Sequence, residues 1–218
     1  MSNKNLTEMV FILDRSGSMA GLEKDTIGGF NSLIEKQKKE QGEAVVTLIL
    51  FDDQYELIYE HADINKIKPL TNKEYYARGM TALLDAVGKA ITQVKNRHLV
   101  ALENEVPNKT MVVIITDGCE NASREFNLNG IKKMIENQKS ECQWEFLFLG
   151  ANIDAVSAAA DIGITADRAV TYQPDEEGTR MNFDSINSVA ECVRKSCPIM
   201  PNWKENIEKH RKSKKLSK

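Results

Sequence analysis

The chain has 218 residues, of which 41% are apolar and 28% charged, with a net charge of −3. That length supports a full hydrophobic core, and the composition excludes a disordered or membrane-embedded chain. No apolar run approaches the ~18 residues of a membrane span. Residues 1–5 lead into no signal-type apolar stretch, so the expected setting is cytoplasmic, with Cys119, Cys142, Cys192 and Cys197 as reduced thiols.

In chain order, the first predicted element is the apolar run 9–13, followed by helical spacing at Ile27, Phe30 and Ile34 and a second apolar run at 45–51. Neither run alternates with polar residues, which predicts strands buried on both faces, as in a parallel sheet covered by helices. Residues 55–60 follow after only Asp52-Asp53-Gln54. A parallel crossover needs a dozen or more residues, so this segment is expected to turn back as an antiparallel edge strand. Glu56 and Glu60 would then discourage pairing with another chain.

Helical spacing recurs at Leu84, Val87, Ile91 and Val94, then a third apolar run spans 111–115. A helix with Leu128, Ile131 and Ile135 leads to a fourth run at 146–149. Residues 151–163 predict a short helix ended by Gly163, residues 169–172 a weaker closing strand, and Ile186, Val189 and Val193 a last helix. The alternation predicts an α/β fold: a doubly wound, mostly parallel sheet with one antiparallel edge strand and helices on both faces.

One domain is expected over residues 6–197, followed by a basic C-terminal tail, 198–218, that begins at Pro198 and Pro201. Residues 204–218 carry seven Lys/Arg against two Glu, or +5, so the −3 of the whole chain leaves −8 on residues 1–203. An acidic body argues against nucleic-acid binding, except weakly through the tail. The tail is expected to be a solvated, frayed end with a loose helix over 203–212.

Three distant segments carry candidate metal chemistry: Asp14-Arg15-Ser16-Gly17-Ser18 after the first strand, Thr81 before a helix, and Asp117-Gly118 after the third apolar run. In doubly wound sheets ligands collect at the carboxyl ends of strands, where connections leave in opposite directions. If the two strands are neighbours, Asp14 and Asp117 converge, and like charges held that close call for a cation between them. Carboxylates and hydroxyls without Cys or His select hard cations: Mg²⁺ first, with Mn²⁺ or Ca²⁺ as alternatives. Gly17 and Gly118 suit a tight backbone around a small ion. Asp85 is a candidate for orienting the ligands by hydrogen bonding, Arg15 for flanking the site and favouring an acidic partner, and Cys119 for a structural thiol.

These residues resemble the von Willebrand factor type A (vWA) domain and its metal-ion-dependent adhesion site (MIDAS). The family's Asp-x-Ser-x-Ser matches Asp14, Ser16 and Ser18, its threonine matches Thr81 in Gly79-Met80-Thr81, and its last aspartate matches Asp117 in Thr116-Asp117-Gly118. The resemblance covers about residues 9–172. It implies a Rossmann-like vWA fold and a divalent ion held by Asp14, Ser16, Ser18, Thr81 and Asp117. It also implies an open coordination position filled by a Glu or Asp of a protein partner. The style of the motifs is that of stand-alone prokaryotic or phage members, some of which work beside ATPases or other complex subunits.

The leading expectation is therefore a metal-dependent protein-binding module, not an enzyme. The alternatives are a metal-dependent phosphate-ester hydrolase and a structural subunit whose ion only stabilises loops. No Gly-x-x-x-x-Gly-Lys, Gly-x-Gly-x-x-Gly or Gly-x-Ser-x-Gly motif is present. His61, His98 and His210 fall on a strand end, a helix end and the tail, away from the three motifs.

Overall fold

The computed structural model describes residues 3–216. Six strands form one sheet: β1 (Asn3–Asp14), β2 (Glu43–Phe51), β3 (Tyr55–Asp63), β4 (Pro107–Thr116), β5 (Glu145–Gly150) and β6 (Ala169–Thr171). Their spatial order is β3-β2-β1-β4-β5-β6, and every pairing is parallel except β2 with β3. The short 52–54 link forces the reversal expected from the sequence, and β3 stands at the edge. Six helices cover the sheet: α1 (Glu23–Gln37), α2 (Leu83–Val100), α3 (Leu128–Cys142), α4 (Ala155–Asp161), α5 (Glu176–Arg194) and α6 (Glu205–Leu216).

Side chains alternate between faces along a strand, so β1 contributes to two cores. Met9, Phe11 and Leu13 join α1, α5 and Ile207 of α6, while Val10 and Ile12 join α2, α3 and α4. Phe11 is fully buried and meets Phe30 of α1 edge to face, ring centroids 5.3 Å apart. Truncating such a ring costs about 3–5 kcal/mol. α1 approaches α5 over a glycine: a β-carbon at Gly29 would fall 2.1 Å from Phe183 Cδ2.

The sheet also positions the candidate residues. Leu13 pairs with Leu50 on one side and Ile115 on the other, so β1, β2 and β4 end level. From β1 the chain crosses to β2 on one side, and β4 lies on the other, which makes the β1/β4 boundary the switch point where connections diverge.

The C-terminal segment corrects the expectation of a solvated end. Trp203 Nε1 donates to Asp167 O at 2.7 Å, and Lys204 Nζ donates to Ala166 O and Ala169 O at 2.6 and 2.8 Å. Ile207 is fully buried, and His210 Nε2 meets Asp175 Oδ1, the N-cap of α5, at 2.9 Å. The basic residues mask this packing in the sequence, because only one apolar side chain of α6 needs to enter the core.

Candidate metal centre

All five residues singled out in the sequence meet at the carboxyl ends of β1 and β4. Ser16 Oγ and Ser18 Oγ lie 3.1 Å apart, and Ser18 Oγ donates to Asp117 Oδ1 at 2.5 Å. Gly118 lets the hydroxyls converge. A β-carbon there would sit 3.0 Å from Ser18 Oγ, 3.1 Å from Thr81 Oγ1 and 3.9 Å from Ser16 Oγ, filling the space they face.

The two carboxylates play different parts. Asp14 is fully buried, and its oxygens accept from Ser16 N–H at 2.7 Å and Thr116 Oγ1 at 2.6 Å. Asp117 uses Oδ1 on Ser18, whereas its Oδ2 is buried without a hydrogen-bond partner. Burial pushes the Asp14 carboxyl up to about 6, against the hydrogen bonds from Thr116 and Ser16, and the neighbouring Asp117 charge adds to the rise. Burial likewise raises Asp117, against the bond from Ser18. Two carboxylates that resist ionisation beside three converging hydroxyls make a set of hard oxygen donors that can hold a cation.

Thr81 owes its place to loops whose role the sequence did not reveal. The 64–82 connection is stitched to the loop after β1 by Arg78 N–H to Arg15 O at 2.8 Å and Gly17 N–H to Gly79 O at 3.1 Å. Ala82 N–H donates to Asp52 O at 2.8 Å, and Gly79 takes a left-handed turn at φ 68°. Behind this seam Asp52 Oδ2 accepts from Arg15 Nε at 3.0 Å and Arg78 Nε at 2.7 Å, while Arg15 Nη2 pairs with Glu56 at 2.7 Å. Arg15 is fully buried. The expectation that it flanks the site on the surface is corrected: its charge is spent on the buried Asp52 and on Glu56 at the edge strand.

The loop after β4 is fastened to the start of α2. Thr81 N–H donates to Asn121 Oδ1 at 2.9 Å, and Asn121 N–H returns a bond to Thr81 O at 3.0 Å. Glu120 accepts from the N–H groups of Leu84, Ala122 and Ser123. Asp85 accepts from the N–H groups of Arg124, Glu125 and Phe126, so it holds loop backbone and not a hydroxyl of the centre. Asn121 and Glu120 carry no motif; their proximity to Asp117 was the only available signal. Cys119 is an exposed thiol beside the centre.

The histidines gather elsewhere. His98 Nε2 lies 2.7 Å and His61 Nδ1 3.5 Å from Oε2 of Glu8, a fully buried β1 carboxylate that also pairs with Arg97. Among the described residues no three His, Cys, Asp or Glu side chains form a further ligand group.

No protein-family model and no curated protein matches the chain. Solved structures do. A zinc-occupied form of proximal thread matrix protein 1 from the mussel byssus, described as having a MIDAS motif, is 15% identical with a TM-score of 0.57, covering 85% of this chain and 46% of that one. The ArnB paralog VWA2 of Sulfolobus acidocaldarius is 19% identical with a TM-score of 0.54, covering 85% and 45%. A von Willebrand factor type A protein of Catenulispora acidiphila is 13% identical with a TM-score of 0.53, covering 84% and 42%. The chain spans less than half the length of each. At these identities the likeness establishes architecture alone, and the mixed six-stranded sheet with its antiparallel edge is the Rossmann-like von Willebrand factor type A fold.

Proposed function

We propose that the chain is a divalent-cation-dependent protein-binding module. Asp14, Ser16, Ser18, Thr81 and Asp117 would hold the ion, Mg²⁺ before Mn²⁺ or Ca²⁺. The observation that carries this reading is the buried, unpartnered Asp117 Oδ2 beside three hydroxyls that converge where a β-carbon on Gly118 would sit. The zinc-occupied MIDAS motif of the mussel protein supports a divalent ion in this fold, and the all-oxygen donor set favours the harder Mg²⁺.

When bound, the ion supplies a partly neutralised positive charge at the surface, which selects an anionic group on the partner. The residues divide the work. Ser16, Ser18 and Thr81 offer neutral oxygens, and Asp14, held by Ser16 N–H and Thr116, contributes charge from behind. With neutral oxygens from Ser16, Ser18 and Thr81 making up most of the set, the ion would keep enough charge to attract a Glu or Asp of a protein partner. Exposed Met80, adjacent to Thr81 in the chain, offers apolar surface near such a contact.

The reading is non-enzymatic. His61 and His98 are committed to Glu8 and His210 to Asp175, and the Glu120 carboxylate is occupied by backbone donors. Among the described residues no helix is long and apolar enough to cross a membrane, and a cytoplasmic setting is part of the proposal.

The test is affinity capture with wild type and a Thr81→Ala variant, each in Mg²⁺ and in EDTA, followed by measured binding of the captured partner and its Glu/Asp→Ala variants. Binding is expected only for wild type in Mg²⁺, with loss on removal of one partner carboxylate. Equal affinity in all four arms refutes the metal-bridged reading.

A further inference from the structure

The end of α5 carries a pair of thiols that the candidate centre does not use. Ser196 is left-handed at φ 53°, its N–H donates to Val193 O at 3.1 Å, and Cys197 N–H donates to Cys192 O at 2.8 Å. These two nested bonds are those of a Schellman helix end, which folds the second residue past the helix back beside a residue of the last turn. Here both of those residues are cysteines. Peptide geometry on either side of the 2.8 Å bond limits their α-carbons to about 6.7 Å apart. A disulfide spans about 4.4–6.8 Å between α-carbons.

The side chains also face each other. Cys197 Sγ donates to Cys192 O at 3.3 Å. Burial, then the hydrogen bond and charge of the Cys197 thiol, push the Cys192 thiol up. Cys197 is exposed and Cys192 half-buried against the core that α5 shares with β1, so an oxidant reaches Cys197 first. Cys119 and Cys142 belong to other elements, one after β4 and the other closing α3.

We propose that Cys192 and Cys197 form a reversible intramolecular disulfide, a modification site that closes the turn joining α5 to α6. With hydrogen peroxide as oxidant, the Cys197 thiolate attacks one peroxide oxygen, the O–O bond breaks and hydroxide leaves, giving a sulfenic acid. The Cys192 thiolate then attacks that sulfur, the S–S bond forms and the S–O bond breaks. Two thiols and one peroxide thus become one disulfide and two waters, and a thiol reductant reverses the change. The linked turn leads directly through Pro198 and Pro201 to α6, so oxidation braces the approach to the docked helix.

The full chain serves for the test. Arg194 and Lys195 lie between the two cysteines, so trypsin separates them unless a disulfide joins the fragments. After stoichiometric peroxide and before any alkylation, the monomer is expected to be about 2 Da lighter, the mass of the two thiol hydrogens lost; the remaining thiols are then alkylated. Its Cys192 and Cys197 peptides should be linked and Cys119 and Cys142 alkylated, with the link released by dithiothreitol. A Cys119→Ser/Cys142→Ser double variant should keep the link and Cys197→Ser should lose it. Full alkylation of both cysteines, separate over-oxidation, or links only to other cysteines or between chains would overturn the proposal.

Discussion

Ser18 and Asp117, 99 residues apart, share a 2.5 Å hydrogen bond that joins the loop after β1 to the end of β4. The other Asp117 oxygen is buried without a hydrogen-bond partner, and a second buried carboxylate, Asp14, lies beside it. Two such carboxylates beside three hydroxyls are the arrangement that a bound cation would stabilise.

Asp117→Asn should separate stability from ion binding. The amide oxygen retains the bond from Ser18 while the charge beside Asp14 is lost, so the ion-free variant should melt at or slightly above wild type. Wild type should gain about 2.7 kcal/mol at a Mg²⁺ concentration a hundredfold over its dissociation constant, and the variant should gain almost nothing. Thermal melts in EDTA and in a Mg²⁺ series check both arms. An equal Mg²⁺ shift in the two proteins would remove Asp117 from the site.

Arg15→Met should be among the most damaging single changes. It strands the buried Asp52 carboxylate, and breaking such a buried pair costs about 3–5 kcal/mol, whereas the exposed Glu56 is resolvated by water. Arg78 still reaches Asp52 and softens the loss. Because Arg15 backs the seam that places Thr81, the variant should also bind Mg²⁺ more weakly when refolded at low temperature. Urea unfolding with and without Mg²⁺ measures the two effects.

Glu8 predicts the acid limb of stability. Burial raises its carboxyl, but the nearby His61 imidazole, the hydrogen bond with His98 and the charge of Arg97 outweigh it and hold the group down at about 2, from an ordinary 4.5. The groups facing it are Arg97 and His98 of α2, His61 of β3 and Thr47 of β2, with Glu60 also paired to Arg97. A folded value below the unfolded one contributes stability above about pH 4.5 that disappears as pH falls toward 2, here about 3 kcal/mol. Urea unfolding from pH 7 to 2.5 should show this slope in wild type and a shallower one in Glu8→Gln.

Ending the chain before Trp203 should cost stability. Ile207 alone removes a fully buried side chain, worth about 1.5–3 kcal/mol, and the Asp175–His210 contact at the α5 N-terminus goes with it. A fall in urea midpoint, together with faster proteolysis near α5, is expected. An unchanged midpoint would return this segment to the status of a solvated end.

Much of the scaffold was legible in the sequence for a simple reason. Uninterrupted apolar runs such as 9–13 and 111–115 have one low-energy use, a strand covered on both faces, and the short 52–54 link permits only a reversal. Asp14, Ser16, Ser18, Thr81 and Asp117 could be singled out as a group because each sits at a strand end or helix start, where local sequence already sets position. What the sequence alone determined was therefore the sheet, its edge and the residues presented at its carboxyl ends. The tertiary structure decided which charges face inward. Arg15 looked like surface until the fold buried it against Asp52, α2 and β3 bring Arg97, His98 and His61 to the buried Glu8, and the basic last helix concealed one buried isoleucine. The burial of a charge depends on a partner that can lie anywhere in the chain, and no local pattern encodes that distance.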